Sequence, residues 1–103
     1  MIRTMVVDDG LKVSCEASSG PEALAKLDSC DPRVVVLDQM MPGMNGIETA
    51  IRIKSERPAQ LVILCTAFLD PTIAGALAAG VNAVLHKDDI TTLPALIREV
   101  VTA

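Results

Sequence analysis

Charged and hydroxyl side chains follow short apolar runs at four places in the chain. The runs span 4–7, 34–37, 61–65 and 83–85, and the polar residues after them are Asp8, Asp9, Asp38, Thr66 and, beyond His86, Lys87. Three neighbouring carboxylates repel one another unless a cation shares them, and such oxygen ligands suit Mg²⁺. A lysine and a hydroxyl can hold phosphoryl oxygens, and an aspartate can itself form an aspartyl-phosphate. These residues indicate Mg²⁺-assisted phosphoryl transfer onto an aspartate.

The apolar runs have the pattern of strands that alternate with amphipathic helices. The run 34–37 is mostly β-branched and lacks polar alternation, which is typical of a central strand covered on both faces. Segment 11–17 alternates apolar and polar residues, as a half-exposed strand does. Single helices between strands predict an α/β fold with a doubly wound, parallel, five-stranded sheet. Ligands of such sheets bind at the carboxyl ends of the strands, where the polar residues stand.

Turn residues delimit the helices. Pro21 stands at the start of the first helix, where its missing N–H costs nothing, and Asp31-Pro32 ends that helix. Asp70 is predicted to be the N-cap of a later helix that has Pro71 in its first turn and stops at Gly80.

The composition limits the classes of function. The 103 residues suffice for one domain, and 9 basic against 13 acidic residues give a net charge of −4. This balance argues against direct binding to nucleic acid or to anionic lipid. No apolar run approaches the roughly 18 residues of a membrane span, and no signal-peptide pattern opens the chain. Cys15, Cys30 and Cys65 are odd in number and widely spaced, so we predict free thiols in a reducing cytoplasm.

Four stretches of the chain together resemble the receiver domain of two-component response regulators. They are Val6-Val7-Asp8-Asp9, the segment VVVLDQMMPGMNG at 34–46, Leu64-Cys65-Thr66-Ala67 and Leu85-His86-Lys87. The resemblance covers nearly the whole chain in the family's order and implies one flavodoxin-like receiver domain over residues 1–103. The segment 85–89 is most similar to the subfamily with a C-terminal helix-turn-helix output domain, and residues 1–103 contain no such domain.

The resemblance implies a phosphotransfer role for three residues. Asp38 would accept the phosphoryl group from the phosphohistidine of a sensor histidine kinase or a phosphotransfer protein. Thr66 would bond a phosphoryl oxygen and move on activation. Lys87 would pair with the phosphoryl group or, before it arrives, with Asp38.

The resemblance also implies a metal site. Asp8, Asp9 and Asp38 would bind Mg²⁺ together with the backbone carbonyl of Met40. Met40 and Phe68 occupy positions where the family tunes the lifetime of the phosphate.

The implied function is a cytoplasmic signalling switch rather than an enzyme that turns over an external substrate. Phosphorylation would bias an existing two-state equilibrium. The surface formed by helix 71–79 and strand 82–87 would change, and a homodimer is one expected output. The domain itself would contact neither nucleic acid nor membrane.

Two positions of the last strand depart from the family pattern. The family usually has an aromatic residue three positions before the lysine, where this chain has Val84. It often has a proline in a cis peptide bond directly after the lysine, where this chain has Asp88. An aromatic switch is therefore not expected from the sequence, although Thr66 is present.

The link between the first two strands is too short for the family's first crossover helix. Only Gly10 separates Asp9 from Leu11, so these residues span at most about 7 Å between Cα atoms. A five-residue strand is about 17 Å long, and parallel neighbours need a crossover of about a dozen residues. The strands of 4–9 and 11–17 therefore cannot be parallel neighbours in a continuous chain.

Two explanations of the short link are open. Crossover residues could have been omitted between Asp9 and Leu11, which predicts a Cα–Cα distance well over ~3.8 Å there. Alternatively the helix is deleted, and a partner or second copy would then cover the exposed sheet face. We favour the first explanation; a hairpin over 4–17 would contradict it.

Three rival functions remain. A receiver with a damaged first crossover could be a phosphorylation-independent interaction module. A small phosphohydrolase of the aspartyl-phosphate type would want an acid two residues after Asp38, where this chain has Met40. A dinucleotide enzyme would want GxGxxG, which is absent.

Overall fold

The computed structural model describes residues 4–7, 13–41 and 43–102, which alternate between strands and helices. In chain order the elements are β1 (Thr4–Val7), β2 (Val13–Ala17), α1 (Gly20–Cys30), β3 (Val34–Asp38), α2 (Gly46–Glu56), β4 (Leu61–Thr66), α3 (Leu69–Ala78), β5 (Ala83–His86), a 3₁₀ segment (Lys87–Thr92) and α4 (Leu93–Thr102). None of the helices in these ranges is long and apolar enough to cross a membrane.

The strands form one sheet in the order β2-β1-β3-β4-β5. β3, β4 and β5 pair in parallel, with Asp38 in register with Cys65 and Thr66 in register with His86. β3 is buried along its whole length, as its apolar, β-branched run predicts. The predicted α/β class and doubly wound sheet are therefore confirmed, and three parallel strands bring their carboxyl ends to one edge.

β1 departs from the all-parallel sheet that we predicted. It pairs antiparallel with both β2 and β3, with Thr4 opposite Leu37 and Val7 opposite Val34. Chain length is the physical reason, because residues 8–12 are too few for a parallel crossover but sufficient for a hairpin. β1 therefore ends beside the start of β3, about 13 Å along that strand from Asp38.

The antiparallel pairing also bears on the short link between β1 and β2. Omitted crossover residues would leave the two strands parallel, so the hairpin argues against that explanation. The Cα–Cα distance that tests it most directly, near residues 9–11, lies outside the described residues.

Helices cover the two faces of the sheet unequally. α1, α2 and α3 pack on one face around Leu37 and Leu64, whereas α4 packs on the other through Leu93 and Ile97. In β2, Glu16 is exposed and Ala17 is buried, as the alternating pattern predicts. One face of β2 can therefore be exposed to solvent. This is consistent with the smaller number of helices on one face of the sheet.

The helix ends follow the turn residues with one exception. The Ser19 side chain caps α1, and Asp31 ends it in the left-handed region at φ 42°. α3 begins at Leu69 with Phe68 as its N-cap, so the predicted Asp70 cap is wrong. The Phe68 N–H donates to the Thr66 hydroxyl, which turns the chain directly after β4 and starts the helix earlier.

The cysteine prediction is half right. Cys65 is free and buried. Cys30 is disulfide-bonded, contrary to our prediction. Spacing along the chain is a poor measure of the distance between cysteines in the folded protein. The side chain of Cys15 lies outside the described residues.

We predict that Gly46→Ala destabilises the domain. A Cβ at Gly46 would lie 2.5 Å from Leu64 Cδ1, 2.8 Å from the Asp38 carbonyl oxygen and 2.9 Å from Gln39 Cα. Two of these atoms are backbone and cannot step aside, so we expect a loss of about 1–3 kcal/mol in the free energy of unfolding. Urea denaturation measures it.

Gly75→Ala is the matched control. Its Cβ would meet only the flexible end of Ile47 at 3.1 Å, inside a helix where alanine is favoured. Equal losses in the two variants would contradict the close approach at Gly46.

Candidate functional site

Asp38 is the centre of the site. It is the last residue of β3 and is completely buried. Its Oδ1 lies 2.8 Å from Lys87 Nζ and accepts the Met40 backbone N–H at 3.1 Å. Its Oδ2 is also buried and has no hydrogen-bond partner among the described residues. One carboxylate oxygen is thus held in place, and the other is left for a further ligand.

Lys87 reaches Asp38 because β3, β4 and β5 are parallel. It follows β5 directly, and its side chain is 25% exposed. A parallel sheet places the ends of these strands at one edge, so residues 49 positions apart in sequence form an ion pair. The structure therefore brings together two of the residues that sequence analysis singled out.

Thr66 ends β4, the strand between Asp38 and Lys87. It is buried, and its hydroxyl accepts the Phe68 backbone N–H at 3.0 Å. Phe68 is 63% exposed. The hydroxyl thus belongs to the same edge of the sheet and is coupled to the first turn of α3.

The predicted metal ligands are only partly described. Asp8 and Asp9 lie outside the described residues, and Met40 is 65% exposed beside Asp38. Within the ranges described, no group of three His, Cys, Asp or Glu residues could hold a metal. The unpartnered Oδ2 of Asp38 fits an oxygen-liganded cation, because a buried carboxylate oxygen requires a partner.

The direction of β1 removes one reason for grouping Asp8 and Asp9 with Asp38. That grouping assumed a parallel β1 that ends at the Asp38 edge. β1 instead ends beside Val34. The position of the acidic pair remains a prediction.

Sequence analysis missed the role of Gln39. The Gln39 backbone N–H donates to the Cys65 carbonyl at 2.9 Å, and its own carbonyl accepts the Gly46 N–H at 3.1 Å. Its side-chain Oε1 accepts the Ile47 N–H at 2.9 Å. The only indication in the sequence was that a polar residue, Gln39, directly follows Asp38. Nothing in the sequence shows that Gln39 bonds to the start of a helix seven residues later.

The loop from β3 to α2 closes on a capped helix. Asn45 is the N-cap, and its side chain accepts the Glu48 N–H at 2.8 Å. The Glu48 side chain accepts the Asn45 N–H at 3.0 Å, which completes a capping box. The helix start beside Asp38 is therefore well ordered.

Cys65 adds a neutral group beside Asp38. Burial, with the nearby Asp38 charge, raises the pKa of the Cys65 thiol to about 11, against a smaller opposing effect of Lys87. The thiol therefore stays protonated at neutral pH and contributes no charge to the site.

The last strand differs from the family pattern as its sequence indicates. Val84 is half-buried and packs against the cluster formed with α1, α2 and α3. The described residues contain no cis peptide bond, so Asp88 follows Lys87 in the trans form. The Asp88 N–H donates to His86 Nδ1 at 3.0 Å, which makes His86 part of this turn.

Comparisons with known proteins agree on one family. A family model described as "Response regulator receiver domain" matches residues 1–98. Chemotaxis protein CheY of Listeria monocytogenes is 40% identical over 67 residues, which are 65% of this chain and 56% of that protein. Response regulator protein VraR of Staphylococcus aureus is 35% identical over 78 residues, which are 75% of this chain and 37% of that protein.

Solved structures give the same result. The crystal structure of a LuxR-family DNA-binding response regulator from Staphylococcus aureus matches with a TM-score of 0.76 at 30% identity. The match covers 84% of this chain and 73% of that chain. The chain spans little more than half the length of CheY and about a third of VraR, the two curated relatives above.

We predict that Lys87→Met destabilises the domain and that adding Asp38→Asn restores most of the loss. Lys87→Met leaves the buried Asp38 charge without its cation, which costs about 3 kcal/mol in the free energy of unfolding. Asn at position 38 removes that charge. Urea denaturation of both single variants and the double variant checks this, and additive losses in the double variant would contradict the ion pair.

Proposed function

This chain belongs to the response regulator receiver domain family, and we propose that Asp38 is its phosphoacceptor. Receiver domains act in two-component signal transduction, and they accept a phosphoryl group rather than turn over an external substrate. The observation that supports Asp38 is its carboxylate at the sheet edge, with Oδ1 held by Lys87 and Met40 and Oδ2 unpartnered among the described residues.

The proposed reaction is a transfer from a phosphohistidine. An Asp38 oxygen attacks phosphorus, the oxygen–phosphorus bond forms, and the donor's nitrogen–phosphorus bond breaks. The histidine nitrogen keeps the electron pair and takes up a proton from water. Lys87 exchanges its contact with Oδ1 for a phosphoryl oxygen. The Thr66 hydroxyl donates its hydrogen to another phosphoryl oxygen, while its oxygen can keep accepting the Phe68 N–H.

Asp38 is completely buried, so the donor must open the site. Met40 and Phe68 flank the site and are both more than half exposed. These two side chains can move without disturbing the core, and we propose that they control the access of the donor and of water. Their movement would then set how long the phosphoryl group lasts.

The family uses Mg²⁺ for phosphorylation, and we propose the ligands for it here. Asp38 Oδ2 and the Met40 backbone carbonyl are two, and Asp8 and Asp9 are the further ones. A bound Mg²⁺ supplies positive charge that offsets the carboxylates and the incoming phosphoryl oxygens.

We propose a sensor histidine kinase or a phosphotransfer protein as the donor, and the cytoplasm as the place of transfer. The similarity to a LuxR-family DNA-binding response regulator supports an output through a helix-turn-helix domain. Homodimerisation through α3 and β5 would couple that output to phosphorylation.

The comparisons do not favour the rival functions. A phosphorylation-independent module would have no need of the Asp38–Lys87 pair at a strand end. A phosphohydrolase would place an acid where this chain has the exposed Met40.

We predict that the protein gains one phosphoryl group with Mg²⁺ and acetyl phosphate or a phosphoramidate. Asp38→Asn gains none, because an amide oxygen cannot act as the nucleophile. Intact-mass spectrometry measures both. An unmodified, folded wild-type protein, or a phosphorylated Asp38→Asn protein, would show that Asp38 is not the acceptor.

We predict that the double variant Asp8→Asn, Asp9→Asn is phosphorylated at least about tenfold more slowly at equal Mg²⁺, since it lacks two ligand charges. Glu48→Gln is the control, because it removes one carboxylate of the capping box at α2. A double variant that matches wild type across a Mg²⁺ titration would remove the acidic pair from the site.

A further inference from the structure

Gln39 connects the residue next to the phosphoacceptor with the start of α2. It is half-buried and makes three hydrogen bonds to two different elements. One bond continues the β3–β4 ladder past Asp38, and two reach the α2 N-terminus. We infer that Gln39 is a positioning residue for phosphoryl transfer at Asp38. This inference rests on the function proposed above.

The backbone of α2 shows what the side chain contributes. A helix begins with four N–H groups that have no partner within it. Here Gly46 donates to the Gln39 carbonyl, Ile47 to the Gln39 side chain and Glu48 to the Asn45 side chain. The Asn45 N–H donates to the Glu48 side chain. Gln39 thus accepts two of these groups, and Asn45 and Glu48 accept one each. Of these three residues, only Gln39 adjoins Asp38.

The same loop sets the orientation of the Asp38 carboxylate. The Met40 N–H donates to Asp38 Oδ1, and Met40 is the residue after Gln39. The Gln39 bonds fix the backbone that carries this N–H, between the sheet on one side and α2 on the other. Without the side-chain bond, the backbone at Met40 would be less restrained. The Asp38 carboxylate would then lose the Met40 N–H bond, which holds Oδ1 in the orientation that contacts Lys87.

An alternative is that Gln39 only stabilises the helix. Asn45 offers a direct comparison, because its side chain makes the same kind of bond to the same helix end. Asn45 lies at the far end of the loop, and the structure gives its side chain no bond to Asp38, Met40 or Lys87. A purely structural effect would therefore be the same for both residues.

The test compares Gln39→Met with Asn45→Ala. Methionine has nearly the size of glutamine but no acceptor for the Ile47 N–H. We expect Gln39→Met to slow phosphorylation of Asp38 by acetyl phosphate about fivefold to tenfold, since small misplacements of reacting groups are costly. We expect Asn45→Ala to stay within about twofold of wild type at a similar loss of stability. Intact-mass time courses and urea denaturation give the two quantities.

Gln39→Glu is the rescue variant. Its carboxylate keeps an oxygen acceptor, and a negative charge suits a helix N-terminus. We expect it to restore the amide protection of Ile47 and to be phosphorylated faster than Gln39→Met. If Gln39→Met fails to fold, Gln39→Asn replaces it, because its amide is one methylene too short to reach Ile47.

Amide hydrogen exchange of the unphosphorylated protein provides a readout independent of the reaction. Faster exchange at both Met40 and Ile47 in Gln39→Met, but not at Met40 in Asn45→Ala, supports the inference. Equal phosphorylation rates in Gln39→Met and wild type, or in Gln39→Met and Asn45→Ala, would overturn it. Failure of wild type to be phosphorylated would instead refute the proposed function, and the exchange data would still report on Gln39.

Discussion

The buried ion pair between Asp38 and Lys87 joins the ends of β3 and β5 at the centre of the candidate site. A carboxylate that is removed from water needs compensation, and here the ammonium of Lys87 and the Met40 N–H provide it at one oxygen. The pair exists only because β3, β4 and β5 run parallel and end at one edge. The second oxygen is buried and unpartnered among the described residues, which supports the proposal that this edge is the site of phosphoryl transfer.

The loop after Asp38 determines how the start of α2 is positioned against the end of β3. Gly46 permits the close approach of α2 to the end of β3, where any Cβ would strike backbone atoms. Gln39, Asn45 and Glu48 then accept the four N–H groups at the start of that helix that have no partner within it. The loop is therefore held at both ends, which restrains the residues on either side of the Asp38 carboxylate. Order of this kind lowers the reorganisation that phosphoryl transfer would otherwise require.

Much of the site could be predicted because it depends on strand ends. A continuous β-branched run identifies β3 as a central strand, and the residue that ends it is Asp38. The same rule selects Thr66 and Lys87. It failed for β1, whose direction depends on the length of the link to β2 and not on its own residues. It also missed Gln39, whose side-chain partner is eight residues away and belongs to another element.

The α/β class, the central strands and the candidate phosphotransfer residues could all be identified from the amino-acid sequence. These follow from local patterns, since burial on both faces demands apolar runs and chemistry demands particular side chains. Three features became visible only in the folded protein: the antiparallel direction of β1, the contact of Lys87 with one oxygen of Asp38 while the other has no described partner, and the bonds of Gln39 to α2. Such features depend on distances between elements far apart in the chain, which no local pattern contains.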